Sequence, residues 1–332
     1  MNTGAKRKPL EHQMAAAMRF METNDRFLVV SHVNPDGDAV ASTCAVGWML
    51  DKLGKQYTLI NEGSLPGKFK YLWGFDRVVN FSENPPVDKF DCVISVDCAD
   101  MSRMGEVRRL FSTDAKLLNI DHHPTNDGFG EVQFICDEAA ATVELLYDLA
   151  RHGGLAVDRA FAECIYTGLL TDTGGFRYSN TSPKVLKAAA ELLAFGVEGH
   201  KLASAVLETI TYAHINLLKR ALASLSFAKG RKISWMTVTA DDIRETGASP
   251  DDLDGLIQYP RNIEGVEVGI LFKQLDDGAV KVGFRSAGKV NVAAVAQSFG
   301  GGGHLLASGC TMRGPLEQVI RRVVEKVGQT LE

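Results

Sequence analysis

The sequence predicts an α/β protein: a doubly wound, mostly parallel sheet in the first half, followed by a smaller mixed α/β domain. Three observations carry that expectation. Short apolar strands alternate with helical patterns through the first half of the chain. Aspartates and histidines recur just past the carboxyl ends of those strands. The 332 residues exceed what one ordinary core organises and suit two domains.

Residues 10–22 place apolar side chains at helical spacing. Residues 27–30 form a short apolar strand, 39–53 a helix and 57–61 a second strand. The run 92–96, Cys-Val-Ile-Ser-Val, is apolar enough to be buried on both faces, as central parallel strands are. Another strand covers 116–120, and 142–152 and 159–170 are helical. Ser182 and Pro183 open a helix to residue 195, with serine as N-cap and proline in the first turn. Helical pattern continues over 203–207 and 215–225. Strands at 233–238, 266–274 and 280–284 then alternate with helices at 250–257, 292–299 and 316–331. The expected division is a first domain at 10–195, a helical connector at 196–228 and a second domain at 229–332.

Composition narrows the function. Hydrophobic residues make up 45% and charged residues 23%, a globular balance. No apolar run reaches the ~18 residues that suggest a membrane span. Residues 1–10 are polar and basic, with no signal-like apolar stretch. The six cysteines form no Cys-x-x-Cys pair and read as reduced, packed thiols of a cytoplasmic protein. Net charge is −5, and the basic residues are scattered; the densest run, Lys6-Arg7-Lys8, reads as a solvated tail. A long duplex nucleic acid is therefore not the expected partner. A small anion held by a few local charges fits better.

The chemistry gathers where the strands end. His32, Asp36 and Asp38 follow the first strand, Asp97 ends a later one, and Asp121-His122-His123 ends the next. Asp172 follows a helix. Taken singly, an Asp-Gly-Asp is often a turn, an aspartate at a strand end a helix cap, and a histidine pair a surface feature. Together they converge on one sheet edge. Asp36, Asp38, Asp97 and Asp172 would repel one another if crowded, so they need raised pKa values or bound cations. Two divalent cations would neutralise four carboxylates. Mixed oxygen and imidazole donors suit Mn2+, with Mg2+ or another divalent ion also accommodated.

These motifs resemble the DHH phosphoesterase superfamily, named for the Asp-His-His that stands here at Asp121, His122 and His123. Gly300 to Gly303 with His304, Ala307-Ser308-Gly309, and the preceding Phe284-Arg285-Ser286 resemble its DHHA1 substrate-binding domain. The two-domain length is similar to the branch of nanoRNases and pAp (3′-phosphoadenosine 5′-phosphate) phosphatases. The resemblance implies roles. His32, Asp36 and Asp97 would hold one metal. Asp38, Asp97, His122 and Asp172 would hold the other, with Asp97 bridging. His123 would act at the scissile phosphate or the leaving group, and Asp121 would orient a neighbouring ligand.

In the second domain, the backbone of Gly301, Gly302 and Gly303 can approach an anion closely. Arg285 can fork onto a phosphate. With Ser286 and His304 they form the expected substrate site, and Arg103 is a further candidate for the scissile phosphate. Tyr178 or Phe176 either stacks a base or packs. Ser308 stands where the family more often has alanine. The expected activity is metal-dependent hydrolysis of short oligonucleotides, linear dinucleotides or pAp; a homodimer is compatible with the sequence. Alternatives are a RecJ-like single-strand exonuclease, a family II pyrophosphatase and a non-catalytic nucleotide-binding sensor.

Overall fold

The computed structural model describes residues 8–331; Lys6 and Arg7 of the basic N-terminal run lie outside the described residues. The chain divides into two compact units, 1–209 and 210–332. In the first, α1 (Leu10–Thr23), β1 (Phe27–Val30), α2 (Gly37–Lys52), β2 (Tyr57–Asn61), β3 (Val79–Asn80), β4 (Phe90–Val96), β5 (Phe111–Asp121) and β6 (Val132–Ile135) come in order. They are followed by α3 (Thr142–His152), α4 (Arg159–Asp172), α5 (Pro183–Ala194) and α6 (Gly199–Ala203).

The six strands are all parallel, in the order β3-β2-β1-β4-β5-β6. The chain runs outward from β1 to β3, then returns to β4 on β1's other side. The connections leaving β1 and β4 therefore depart in opposite directions, which opens a crevice at their carboxyl ends. Val29 pairs with Leu59 on one side and Ile94 on the other, so the central strand is apolar throughout. Alternate residues fill two cores. Phe27, Val29, Ile94 and Ile120 pack with residues of α1, α2 and α3. Leu28, Val30, Val93 and Leu117 pack on the opposite face with Met104, Val107 and Leu110, from the 3₁₀ segment Met101–Leu110.

The second unit holds α7 (Tyr212–Ala223), β7 (Ser226–Ala228), β8 (Ile233–Val238), α8 (Ala240–Thr246) and α9 (Gln258–Arg261). Then come β9 (Val268–Gln274), β10 (Ala279–Ser286), α10 (Val292–Gln297), β11 (Gly302–His304), β12 (Ala307–Arg313) and α11 (Leu316–Gln329). Its sheet, β11-β12-β10-β9-β8-β7, is antiparallel except for the parallel pair β8–β9.

Three stretches differ from the sequence reading. Residues 196–228 form no separate connector: Leu202 and Val206 belong to the first core, whereas Leu217, Leu218 and Ala221 pack with Met236, Val238 and Leu256 in the second unit. Apolar residues at helical spacing draw each piece onto the nearer sheet. Residues 250–257 are not one helix but a 3₁₀ turn, Pro250–Leu253, ahead of α9, with Gly255 at φ 79° between them. The glycine run is only partly a loop. Gly302 and Gly303 enter β11, and a Cβ at Gly303 would stand 2.6 Å from Ser308 Cα. Glycine there allows two backbones to close on each other.

Candidate metal centre

Each acidic or imidazole group reaches the crevice by a local device. Asp36 caps α2, its Oδ1 accepting from the backbone N–H groups of Asp38 and Ala39 at 3.1 Å each. That cap starts the helix at Gly37, two residues before the expected start, and puts Asp38 in its first turn. Asp38 is fully buried: Oδ2 accepts from Thr142 N–H at 2.6 Å and Oδ1 from Val143 N–H at 3.1 Å. The amino end of α3 thus faces this carboxylate, the orientation its dipole favours. Asp97 follows β4 with φ 56°, a left-handed conformation uncommon outside glycine and asparagine. Its backbone N–H donates to Ile120 O at 3.0 Å, and Thr142 Oγ1 donates to its Oδ1 at 3.0 Å. Helix α4 runs two residues past its predicted end and carries Asp172 on its last turn.

The histidines are aimed by their other ring nitrogens. His32 Nδ1 lies 2.9 Å from Val33 O, and His122 Nδ1 lies 3.3 Å from Ala139 O. Hydrogen bonds to these carbonyls place the proton on Nδ1 and leave Nε2 as the lone-pair donor. His32 Nε2 stands 3.5 Å from Asp97 Oδ2 and 4.0 Å from Asp36 Oδ2. His122 Nε2 stands 3.6 Å from Asp97 Oδ1, 3.4 Å from Asp172 Oδ2 and 4.0 Å from Asp38 Oδ2. The two oxygens of Asp97 therefore face different histidines.

These separations exceed a charge-assisted hydrogen bond. Two donors each bound to one cation stand roughly 2.9–3.6 Å apart, close to what is seen. Three groups have ligand atoms within 4.8 Å of one another: His32, Asp36 and Asp97; Asp38, His122 and Asp172; and Asp97, His122 and His123. The donor chemistry fits divalent cations, and the first two groups are complete within one chain.

Electrostatics agree. Burial, then the neighbouring Asp97 and Asp36 charges, push the Asp38 carboxyl well above its usual range; burial, then Asp38, do the same to Asp172. Burial opposes ionisation of Asp97 as well. The His32 imidazole beside it, with the nearby His122 and His123, outweighs that and holds Asp97 below the ordinary range. One carboxylate is fixed as an anion while its neighbours resist ionising, a conflict that bound cations would relieve.

His123 differs from the other two histidines. Its Nδ1 meets Asp121 Oδ1 at 2.7 Å. Burial works against its charged form, but Asp121 and then Asp97 raise its pKa above the usual value. Arg103 lies in the 3₁₀ segment, half-buried; its carbonyl accepts from Val33 N–H at 2.8 Å, and its charge opposes protonation of His123.

In the second unit, Arg285 and Ser286 end β10 and His304 ends β11. Arg285 Nη1 donates to Phe284 O at 3.0 Å. Ser286 is engaged internally: its hydroxyl donates to Glu267 Oε1 at 3.1 Å and accepts from Gly288 N–H at 3.1 Å. The N–H groups of Gly300 and Gly301 close the end of α10, bonding to Gln297 O and Ala296 O. That end of the glycine run is a helix terminus rather than an open anion cradle. Gly302 and Gly303 pair with Gly309 and Ser308 in the β11–β12 ladder, as does His304 with Ala307. Ser308 Oγ donates to Val292 O at 2.6 Å, tying β12 to the start of α10. Phe176 packs edge-on against Tyr166, while Tyr178 is half exposed.

Thr142, Asn126 and Glu267 went unnoticed in the sequence. By local pattern Thr142 is a helix start and Glu267 part of a strand, and Asn126 falls between the predicted elements. None stands in a motif that distinguishes a buried partner of a ligand from an ordinary cap.

Comparison with known proteins gives a consistent picture. Residues 26–169 match the model of the DHH family, N-terminal domain, and residues 232–332 match the DHHA1 domain. A protein of Thermus thermophilus, named bifunctional oligoribonuclease and PAP phosphatase NrnA, is 34% identical over 91% of this chain and 89% of its own length. One of the same name from Bacillus subtilis is 28% identical over 89% of this chain and 92% of its own. The crystal structure of an exopolyphosphatase-related protein from Bacteroides fragilis superposes with a TM-score of 0.89 at 24% identity, covering 96% of each chain.

Proposed function

The chain belongs to the DHH phosphoesterase family with a C-terminal DHHA1 domain, and on that premise we propose that it hydrolyses short oligonucleotides and linear dinucleotides to mononucleotides, and pAp to AMP. The observation that supports this most is one buried carboxylate, Asp97, whose two oxygens face two separate sets of ligand atoms. The relatives' names point to the same substrates.

In this reading His32, Asp36 and Asp97 hold one divalent cation, and Asp38, Asp97, His122 and Asp172 hold a second, Mn2+ being best suited to the mixed donors. Such cations would supply charge neutralisation at the phosphate and activation of the attacking water. The protein's own groups do the rest. Asp97 fixes the spacing of the two ligand sets. His123, with Nδ1 held by Asp121, presents Nε2 to the leaving oxygen and gives it a proton. Arg103 acts on the scissile phosphate. Arg285 and His304 hold the part of the substrate that does not react, with Gly301, Gly302 and Gly303 shaping the strand beside them and Ser286 setting the loop after Arg285. The cysteines, all six unpaired, fit a cytoplasmic protein. No helix among the described residues is long and apolar enough to cross a membrane.

The test compares turnover of pAp, pApA, pGpG and a long single strand with Mn2+ present. Chains of a few nucleotides are cut fastest. Equal rates on a dinucleotide and a long strand would favour a processive exonuclease. No turnover of any substrate, with metal bound, would favour a non-catalytic sensor.

A further inference from the structure

The loop after the histidine pair contains a side chain with no assigned role. Asn126 is half-buried, and its Nδ2 lies 2.6 Å from Asp121 Oδ2, 2.8 Å from Asn119 Oδ1 and 3.1 Å from Cys98 O. A carboxylate and a carbonyl can only accept, so the atom facing them is the amide nitrogen. Its Oδ1 accepts from Gly128 N–H at 2.8 Å, which forms a tight Asx turn. Asn119 is fully buried in β5 and itself donates to Cys98 O. The amide is thereby clamped between the segment leaving β4 and the body of β5. Asp97 follows the first of these strands and Asp121 ends the second.

We propose that Asn126 is a positioning residue for His123, acting through Asp121. Asp121 is fully buried, and its carboxylate is divided: Oδ2 receives Asn126 while Oδ1 faces His123 Nδ1 at 2.7 Å. Holding Oδ2 fixes the rotation of the carboxylate about its last side-chain bond. That rotation determines whether Oδ1 meets the imidazole in its plane, and so where Nε2 points. Without the amide, Asp121 can turn and the imidazole loses its fixed direction, while the ligand atoms of His32, Asp36 and Asp38 keep their own supports. This inference rests on the proposed proton transfer from His123.

The experiment exploits the leaving group. A ribose oxygen leaves poorly and needs a proton; p-nitrophenolate leaves well without one. Asn126→Ala and His123→Ala are compared, singly and combined, on pApA and on bis(p-nitrophenyl) phosphate, with bound metal measured in each. His123→Ala is expected to lose about 10²–10⁴-fold in kcat on the dinucleotide and far less on the aryl ester. Asn126→Ala is expected to lose about 10–100-fold on the dinucleotide and under about threefold on the aryl ester, with metal content retained. The double variant should match His123→Ala within about threefold, because Asn126 has nothing left to position. Asn126→Leu keeps the branched shape without adding a charge or a donor beside Asp121; it should show the same substrate pattern, and it decides the matter if the alanine variant melts early. Equal losses on both esters for the Asn126 variants, or a double variant whose loss is the product of the single losses, would overturn the inference. If His123→Ala itself lost equally on both esters, the acid role would fail first, and the inference with it.

Discussion

Replacing Thr142 with valine tests how the two ligand sets are kept in register. The substitution preserves shape and the backbone N–H that reaches Asp38 Oδ2 at 2.6 Å, and it deletes only the hydroxyl that donates to Asp97 Oδ1 at 3.0 Å. Thr142 is fully buried and Asp97 nearly so, so water cannot easily replace the lost donor. A hydrogen bond to a charged group contributes about 1.5–3 kcal/mol. At about 1.4 kcal/mol per tenfold change, that is one to two powers of ten if it all appears in metal binding. Part of it will appear as lost fold stability, since Asp97 keeps its interactions in the metal-free protein too. We therefore expect Mn2+ affinity to fall about tenfold or more, within the range typical for partners of metal ligands. The assay titrates metal-depleted protein with Mn2+, reading free ion by electron paramagnetic resonance, with thermal melting in parallel. Thr142→Ser, which restores the donor, should recover most of the affinity. A folded Thr142→Val protein with wild-type Mn2+ affinity would refute the argument.

Other outcomes follow from the same geometry. Asp97→Ala should abolish hydrolysis and lower bound metal at both ligand sets, measured by elemental analysis of the dialysed protein. Arg285→Ala should lose about one to two powers of ten in kcat/KM on dinucleotides, the equivalent of a charged hydrogen bond of about 1.5–3 kcal/mol, and little on bis(p-nitrophenyl) phosphate; equal losses would place Arg285 at the reacting phosphate or in folding. Gly168→Ala should weaken both metal binding and stability by about 1–3 kcal/mol, because its Cβ would stand 2.7 Å from Asp38 Oδ1 and 2.5 Å from Val143 Cγ2. For the metal-free protein, Asp38 and Asp172 have folded-state pKa values raised above the ordinary 3.8, so above that value the folded state holds more protons than the unfolded one and stability falls as pH rises. Melting temperature of metal-free protein should therefore drop from pH 5 toward neutrality more than that of Asp38→Asn, and added Mn2+ should raise it most at the upper end; a parallel pH response in the two proteins would contradict this.

Much of the architecture could be read from the chain because parallel strands leave a strong local mark. Phe27–Val30 and the apolar run within Phe90–Val96 are buried on both faces, so their composition alone identifies them. Strands that are half exposed or glycine-rich leave weaker marks. Gly302–His304 carries two glycines and looks like a turn until β12 pairs with it, and Val132–Ile135 is four residues at a sheet edge. The stretch 196–228 is not legible for a different reason. Its helices were visible, but which sheet each would cover depends on packing that no local pattern encodes.

The site shows the same division at finer scale. The proposed ligands His32, Asp36, Asp38, Asp97, His122 and Asp172 stand out in the sequence as acidic and imidazole groups near element ends and through their resemblance to the DHH motifs, and the structure gathers them into neighbouring clusters. The groups that hold them in place are not so constrained. A hydroxyl, an amide or a backbone N–H can each satisfy a carboxylate oxygen, so the sequence offers no signature for the choice. Thr142 and Asn126 are identified only by where their donors point. Both act on carboxylates that are nearly or wholly buried, where a missing donor is felt most. The burial of Asp38, Asp97 and Asp121 is therefore the common cause of two otherwise separate features. It makes the cluster without cations electrostatically unfavourable, which would favour cation binding, and it makes each supporting hydrogen bond specific. A more exposed cluster would bind cations less selectively and would lose little on removal of Thr142 or Asn126. The Thr142 and Asn126 substitutions thus probe one property by two independent measurements, metal affinity in the first case and leaving-group dependence in the second.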